Sequence, residues 1–214
     1  MATTTPNYGW DVPTSTDYVA QGAVAIETLG DDIDATLWTA LGGAYPGLRL
    51  LTAASFTTAT SFSLPANTFS STYRNYKLIV QLTALTADAD FSIRLRASGT
   101  DNSTSVYAYA MPGYTYGASA SNSFAESQTS WNLGEQDSGI VRYFAVMDVI
   151  SPQAATLTYL TGSYNFLNKI ASVSVVRTGN MQFTNATQFD SLSFISSVAS
   201  SMSGTYRVYG YGES

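Results

Sequence analysis

Apolar residues recur in two rhythms along this chain, and the change between them near Pro46 divides it. Before that point Val19, Gly22, Ile26, Leu29, Ile33, Leu37 and Leu41 follow one another at spacings of 3, 4, 3, 4, 4 and 4, close to a coiled-coil stripe on one helix face. Thr14 with Asp17 three residues later resembles a capping box, and Gly42-Gly43 supplies a stop. A helix over 17–43 is expected, running ~37 Å between 17 and 41 at the usual rise per residue. Such a helix is marginal alone and needs copies of itself or a partner to pack against. Ile and Leu along the seam lean towards a dimer, but Gly22 and the closing spacings of four leave the copy number open.

Residues 1–16 carry no period. Thr, Pro and Asn dominate them, and Tyr8 and Trp10 are the large apolar groups before Val12-Pro13, so an extended arm is expected. After Pro46 the period becomes two. Tyr76, Leu78, Val80 and Leu82 alternate with polar residues such as Lys77 and Gln81, and Phe91, Ile93 and Leu95 alternate with Arg94 and Arg96. Further strands are expected over 48–56, 59–64, 105–116, 140–150, 154–161, 170–177, 190–196 and 204–211. Turns are expected at Gly99-Thr-Asp-Asn102 and Thr178-Gly-Asn180. About ten strands at this spacing predict a mainly β fold, a jelly-roll-like antiparallel β-sandwich over 44–214, preceded by the extended arm and one oligomerising α-helix.

Composition agrees with this and narrows the chemistry. Tyr (15) and Phe (10) are plentiful and charged residues make up 11%, the balance of strands joined by polar turns. Cysteine and histidine are absent, which removes disulfides, thiolate and imidazole metal sites and histidine-based nucleophilic catalysis. No apolar run reaches the length of a membrane span, and the first residues lack the basic start and apolar centre of a signal peptide, so a soluble chain without membrane insertion is expected.

The net charge of −6 is unevenly placed. Asp11, Asp17, Glu27, Asp31, Asp32 and Asp34 fall before residue 49 with no Lys or Arg among them, whereas nine basic and nine acidic groups balance in the remainder. The N-terminal part is therefore suited to a basic socket and repels nucleic acid, or it is simply a solvated acidic helix face.

Two stretches carry a resemblance. The first is Asn7-Tyr-Gly-Trp10 with Val12-Pro-Thr-Ser-Thr-Asp-Tyr-Val19, Gly22-Ala-Val-Ala-Ile26 and Leu29-Gly30. The second is Phe69-Ser-Ser-Thr-Tyr-Arg-Asn-Tyr-Lys-Leu-Ile-Val80, followed by Phe91-Ser-Ile-Arg-Leu-Arg96, Gly99-Thr-Asp-Asn102 and Ser203-Gly-Thr-Tyr-Arg-Val-Tyr-Gly210. Together they resemble bacteriophage virion fibre and spike proteins of the minor-tail or head-fibre type; residues 103–200 match only as generic strands. The resemblance implies a virion subunit, usually trimeric, fixed to a capsid or tail protein by its N-terminus with its β head pointing outward. No catalytic residue and no cofactor is implied. A capsid decoration protein that stabilises the shell, and a surface-polysaccharide hydrolase, remain alternatives.

Candidate sites follow. Tyr8 and Trp10 can plug into a virion protein with Asp11 and Asp17 facing basic groups, or can fold back on their own helix. Val19, Ile26, Leu29, Ile33 and Leu37 form the oligomerisation seam. Tyr109, Tyr114 and Tyr116, with Tyr107, surround Met111-Pro-Gly113 and precede a Ser/Asn/Gly-rich stretch. With Trp131 they offer stacking surfaces for a host glycan or protein, or else one buried face of a strand pair. Asp88 with Asp90, and Asp31-Asp32 with Asp34, lack the full oxygen set of a cation site and read as solvated carboxylates, and no carboxylate pair is marked out for glycoside hydrolysis. Asn102-Ser-Thr104 and Asn185-Ala-Thr187 fit the glycosylation pattern, which is empty without a secretory signal.

Overall fold

A computed structural model of the chain describes every residue except 1–2, 15–17, 41–46, 118, 140, 142, 169–172, 200 and 213–214, and the backbone alone at 3, 19–21 and 40. It divides into two compact units, residues 1–47 with 212–214, and residues 48–211.

In the first unit, β1 (Thr3–Thr4) pairs antiparallel with β2 (Asp11–Val12), so the expected extended arm is instead a short hairpin. Gly9 at φ +69° allows the reversal, the Thr5 amide donates to the Trp10 carbonyl at 2.8 Å, and the Trp10 amide donates to Thr5 Oγ1 at 3.0 Å. The helix α1 spans Val19–Ala40, inside the expected 17–43; Asp17 and the Gly42-Gly43 stop lie outside the described residues. Trp10 turns back on this helix, its indole Nε1 donating to Thr36 Oγ1 at 3.0 Å, and Tyr8 stacks on Trp10 with ring centres 5.1 Å apart.

The second unit is an antiparallel sandwich. Its strands are β3 (Gly47–Ala59), β4 (Ser61–Ser63), β5 (Asn75–Leu85), β6 (Ala89–Ala97), β7 (Thr100–Asp101), β8 (Tyr107–Met111), β9 (Gly113–Thr115) and β10 (Ser123–Gln128). They continue with β11 (Trp131–Gln136), β12 (Phe144–Ile150), β13 (Thr158–Leu167), β14 (Ser174–Phe183), β15 (Ser191–Ser196) and β16 (Met202–Gly212). One sheet runs β10-β8-β14-β13-β12-β5-β16-β3, with β9 also paired to β14; the other runs β11-β6-β15-β4, with β7 on β6.

Taken in chain order, β3, β4, β5, β6, β11, β12, β15 and β16 are eight core strands. They stand as 1-8-3-6 in the larger sheet and 2-7-4-5 in the smaller, the jelly-roll-like order of two interleaved Greek keys. The remaining long strands are insertions. β8 to β10 enter between the fourth and fifth core strands and β13 with β14 between the sixth and seventh. The two insertions pair with each other and extend the larger sheet past β12 as a four-stranded wing.

Alternation explains the strands at the centre. In β5 Tyr76, Leu78, Val80 and Leu82 are buried, and in β6 Phe91, Ile93 and Leu95 are fully buried, while their neighbours face outward. Between the sheets an aromatic column stacks Phe62 on Phe194 and on Tyr206, while Phe91 meets Phe194 at a tilt and Tyr143 edge-on. β13 and β14 lie several residues later than expected, and the turn expected at Thr178-Gly-Asn180 is strand interior. Gly179 pairs across the ladder with Gly162, where an added Cβ would sit 2.2 Å from the Val146 carbonyl oxygen.

Two buried hydroxyls, those of Tyr143 and Thr158, have no protein partner among the described residues. Tyr143 is buried in the column, and burial pushes its phenol well above its ordinary pKa. Tyr143→Phe is therefore expected to leave stability unchanged or raise it by up to about 1 kcal/mol, read from the chemical denaturation midpoint. A loss larger than that would reveal a partner for the hydroxyl.

Candidate functional site

The wing presents its inner face to the core and its outer face to solvent. Tyr107, Met111, Leu160, Met181 and Phe183 point inward and are buried. The intervening positions form an outer surface whose rows are fixed by register. Ala108 lies opposite Gln182, which lies opposite Tyr159; Ala110 lies between Asn180 and Phe124. Glu126 follows at the irregularity between Ala125 and Gln128, on the far side of β8.

Because the β8 positions on this face are alanines, the surface sinks there. A groove of about 270 Å³ results, lined by Ala108, Ala110, Glu126, Tyr159, Asn180 and Gln182 and by the intervening strand residues Tyr109, Ala125 and Met181. Phe124 is 80% exposed and Tyr159 40% exposed, so two aromatic rings stand on this face beside the alanine floor. From the inner side, the Trp131 indole donates to the Gln182 carbonyl at 3.2 Å, tying β11 of one sheet to the strand that carries two groove amides.

The sequence-derived candidates separate into exposed and buried sets. Tyr114 and Tyr116 are 69% and 75% exposed and available to a ligand. Tyr109 is half-buried, packs against the core and lines the groove, whereas Trp131 is fully buried, edge-on to Tyr107 at 5.2 Å, and departs from the expected recognition role because its strand position faces inward. The groove itself was missed. Its signal was the pair of small residues Ala108 and Ala110 at period two between tyrosines, flanked by aromatic and amide side chains on neighbouring strands.

No family model, curated protein or solved structure matches this chain.

In the first unit Tyr8 is 68% exposed and Asp11 is exposed, whereas Trp10 is half-buried against the helix. An open cleft lies between the hairpin and helix residues Asp32, Ala35, Thr36 and Thr39. Along the seam Ile26 and Leu37 are 64% and 55% exposed, Leu29 and Ile33 are half-buried, and Val19 opens the helix with its backbone. At 100° per residue Leu29 and Ile33 border the residues beneath the hairpin, Leu29 lying about 20° from Thr36, whereas Ile26 and Leu37 point farther away and stay open.

Two polar clusters outside the groove are braces. Arg96 donates to Asp101 Oδ1 at 2.9 Å, Ser63 Oγ at 2.6 Å and Ser193 Oγ at 2.9 Å, joining β4, β15, β6 and β7. Lys77 pairs with Asp148 at 2.8 Å and lies over the Tyr211 ring; burial lowers its pKa, hydrogen bonds to Asp148 and Tyr211 raise it, and the net shift is upward. In the first cluster the Ser193 hydroxyl also donates to Asp101 Oδ1 at 2.7 Å, a carboxylate already paired with Arg96. Asp88 accepts from the Ser138 amide and hydroxyl, both at 2.7 Å, and so holds a loop; no grouping of acidic residues suited to a metal occurs among the described residues.

Proposed function

We propose that this chain is a structural subunit of a bacteriophage particle: a fibre or spike protein, assembled as a homotrimer, that is anchored by its N-terminal unit and presents its β head to the host surface. The observation that carries this reading is the exposure of Ile26 and Leu37 on the apolar seam of α1, in one chain with a jelly-roll-like head that forms its own compact unit. A seam of this length with Ile26 and Leu37 in water is unfavourable for a lone chain and favourable once copies cover it.

Three further observations support the reading. The resemblance noted above covers both ends of the chain. The N-terminal unit carries an excess of carboxylates with Tyr8 and Asp11 exposed, a combination suited to a basic socket with an apolar recess. The head offers recognition chemistry on a rigid sheet, and the groove holds a single carboxylate, Glu126, where glycoside hydrolysis uses two. Both features support a binding role for the head.

Removal of residues 1–12 is expected to lower incorporation into purified particles at least tenfold without changing the thermal transition of the head, as measured by immunoblot and calorimetry. Unchanged occupancy would remove the docking role. Density of the full chain over the capsid lattice, with no outward-facing head, would favour shell decoration over attachment.

A further inference from the structure

We propose that the alanine-floored groove of the wing binds an uncharged saccharide, taking one or two sugar rings at its base. The inference rests on the attachment reading and names the ligand class for its head.

The argument begins with shape. Ala108 and Ala110 remove side-chain volume from two successive outward positions of β8, while the strands on either side keep large residues, so the recess is built into the register and needs no loop to form it. Four strands hydrogen-bonded in series make a stiff floor, and the Trp131 indole holds the Gln182 carbonyl from behind. A preformed recess spares a ligand the ordering cost that loops impose.

The second step is chemistry. Tyr159 lines the groove and offers an aromatic face on which the C–H face of a pyranose can stack, and Phe124, outside the lining but opposite Ala110 on the same sheet face, offers a second one beside it. Asn180 and Gln182 each bring a carbonyl acceptor and an NH₂ donor, and Glu126 brings two acceptor oxygens. Amide donors and carboxylate acceptors spaced around an apolar base match the alternating donor and acceptor demands of neighbouring hydroxyl groups. Such a ligand keeps part of its surface in water, which suits a shallow site on an outer sheet face.

The third step is charge. No Lys or Arg lines the groove and its carboxylate repels anions, so phosphate-bearing, sulfated and acidic sugars and nucleic acid are disfavoured. A protein partner would need roughly 800 Å² on each side, an area for which a recess of 270 Å³ is no requirement. Hydroxyl-rich uncharged rings remain the class that every lining group can use.

The test is titration of the full chain with neutral oligosaccharides of glucose, galactose, rhamnose and N-acetylglucosamine, with uronate and phosphosugar oligomers beside them, followed by calorimetry and saturation-transfer NMR. At least one neutral series is expected to bind. Ala110→Leu, which adds bulk on an exposed face without touching the core, and Gln182→Ala are each expected to weaken it at least tenfold with an unchanged thermal transition. Tyr116→Ala, outside the groove, is expected to bind as the unaltered chain does. Binding of no neutral series, preference for the acidic series, or unchanged affinity in Ala110→Leu would overturn the proposal.

Competition against particle adsorption to cells separates this inference from the reading beneath it. If the chain blocks adsorption but binds no neutral sugar, the ligand class falls and attachment stands. If it binds sugar through the groove but leaves adsorption untouched, attachment falls and the saccharide site stands.

Discussion

Trp131→Ala is expected to lower the unfolding free energy by about 4 kcal/mol, the scale on which buried tryptophans are lost to alanine in well-packed cores. Trp131 is fully buried, meets Tyr107 edge-on at 5.2 Å, and donates its indole hydrogen across the sandwich to the Gln182 carbonyl. Tyr107 in turn meets Phe183 at 4.9 Å, accepts from the Leu95 amide at 3.1 Å and donates to the Asn102 carbonyl at 2.8 Å. Burial pushes the Tyr107 phenol up to about 12, so it stays a neutral hydrogen-bonding group through the ordinary pH range. Removing the indole leaves a cavity beside this network and frees the strand that carries Asn180 and Gln182. Trp131→Phe, which keeps most of the ring volume, should cost less than half as much. Urea denaturation of the full chain checks both; a loss under about 1 kcal/mol for the alanine variant would mean that the two insertions are held to the core by other contacts.

The importance of Trp131 was hidden from the sequence for a definite reason. It stands among Ser, Asn and Gly residues, a setting that suits a recognition loop, and the strand that carries it contains Asn132 and Gly134. Gly134, at φ +99°, sits at a register irregularity where β11 stays paired to β6. Period two is lost at such a point, and with it the signal that Trp131 faces inward. β10 escaped notice on different grounds: it is an edge strand with most of its residues exposed, so burial imposes no alternation on it.

Where one face is buried and the other wet, the pattern was legible. β5 and β6 show this, since Tyr76 to Leu82 and Phe91 to Leu95 are buried at the alternating positions that the sequence marks. The helix was legible through its seam, but the hairpin over residues 3–12 was not, because its ladder is only two residues long and its closure depends on Gly9 and the Thr5 hydroxyl. The groove is the hardest feature to read from one dimension. Its floor is defined by missing volume at Ala108 and Ala110, and its sides come from segments around 126, 159 and 181 that meet only through the pairing of the two insertions.

The seam carries the other large expected effect. Changing Ile26 and Leu37 together to Asp should convert an assembled species into monomers at micromolar concentration, as measured by analytical ultracentrifugation. Covering one Ile or Leu side chain stabilises by about 1.5–3 kcal/mol. Losing two in each chain, and placing carboxylates where copies would meet, weakens association by more than a hundredfold. Helical circular dichroism should fall in parallel, because a 22-residue helix released from its partners has an open seam and no acidic residue in its first turn to favour its N-terminus. Glu27→Ala with Asp34→Ala removes the same number of side chains at carboxylate positions outside the seam and should leave assembly intact. A monomeric unaltered chain, or an assembly that survives both aspartates, would place the contacts between copies elsewhere in the molecule. Assembly that is lost only with the seam would instead give the acidic N-terminal unit its role: it would bring several copies of Tyr8 and Asp11 to one anchoring site, where modest single contacts gain from being presented together.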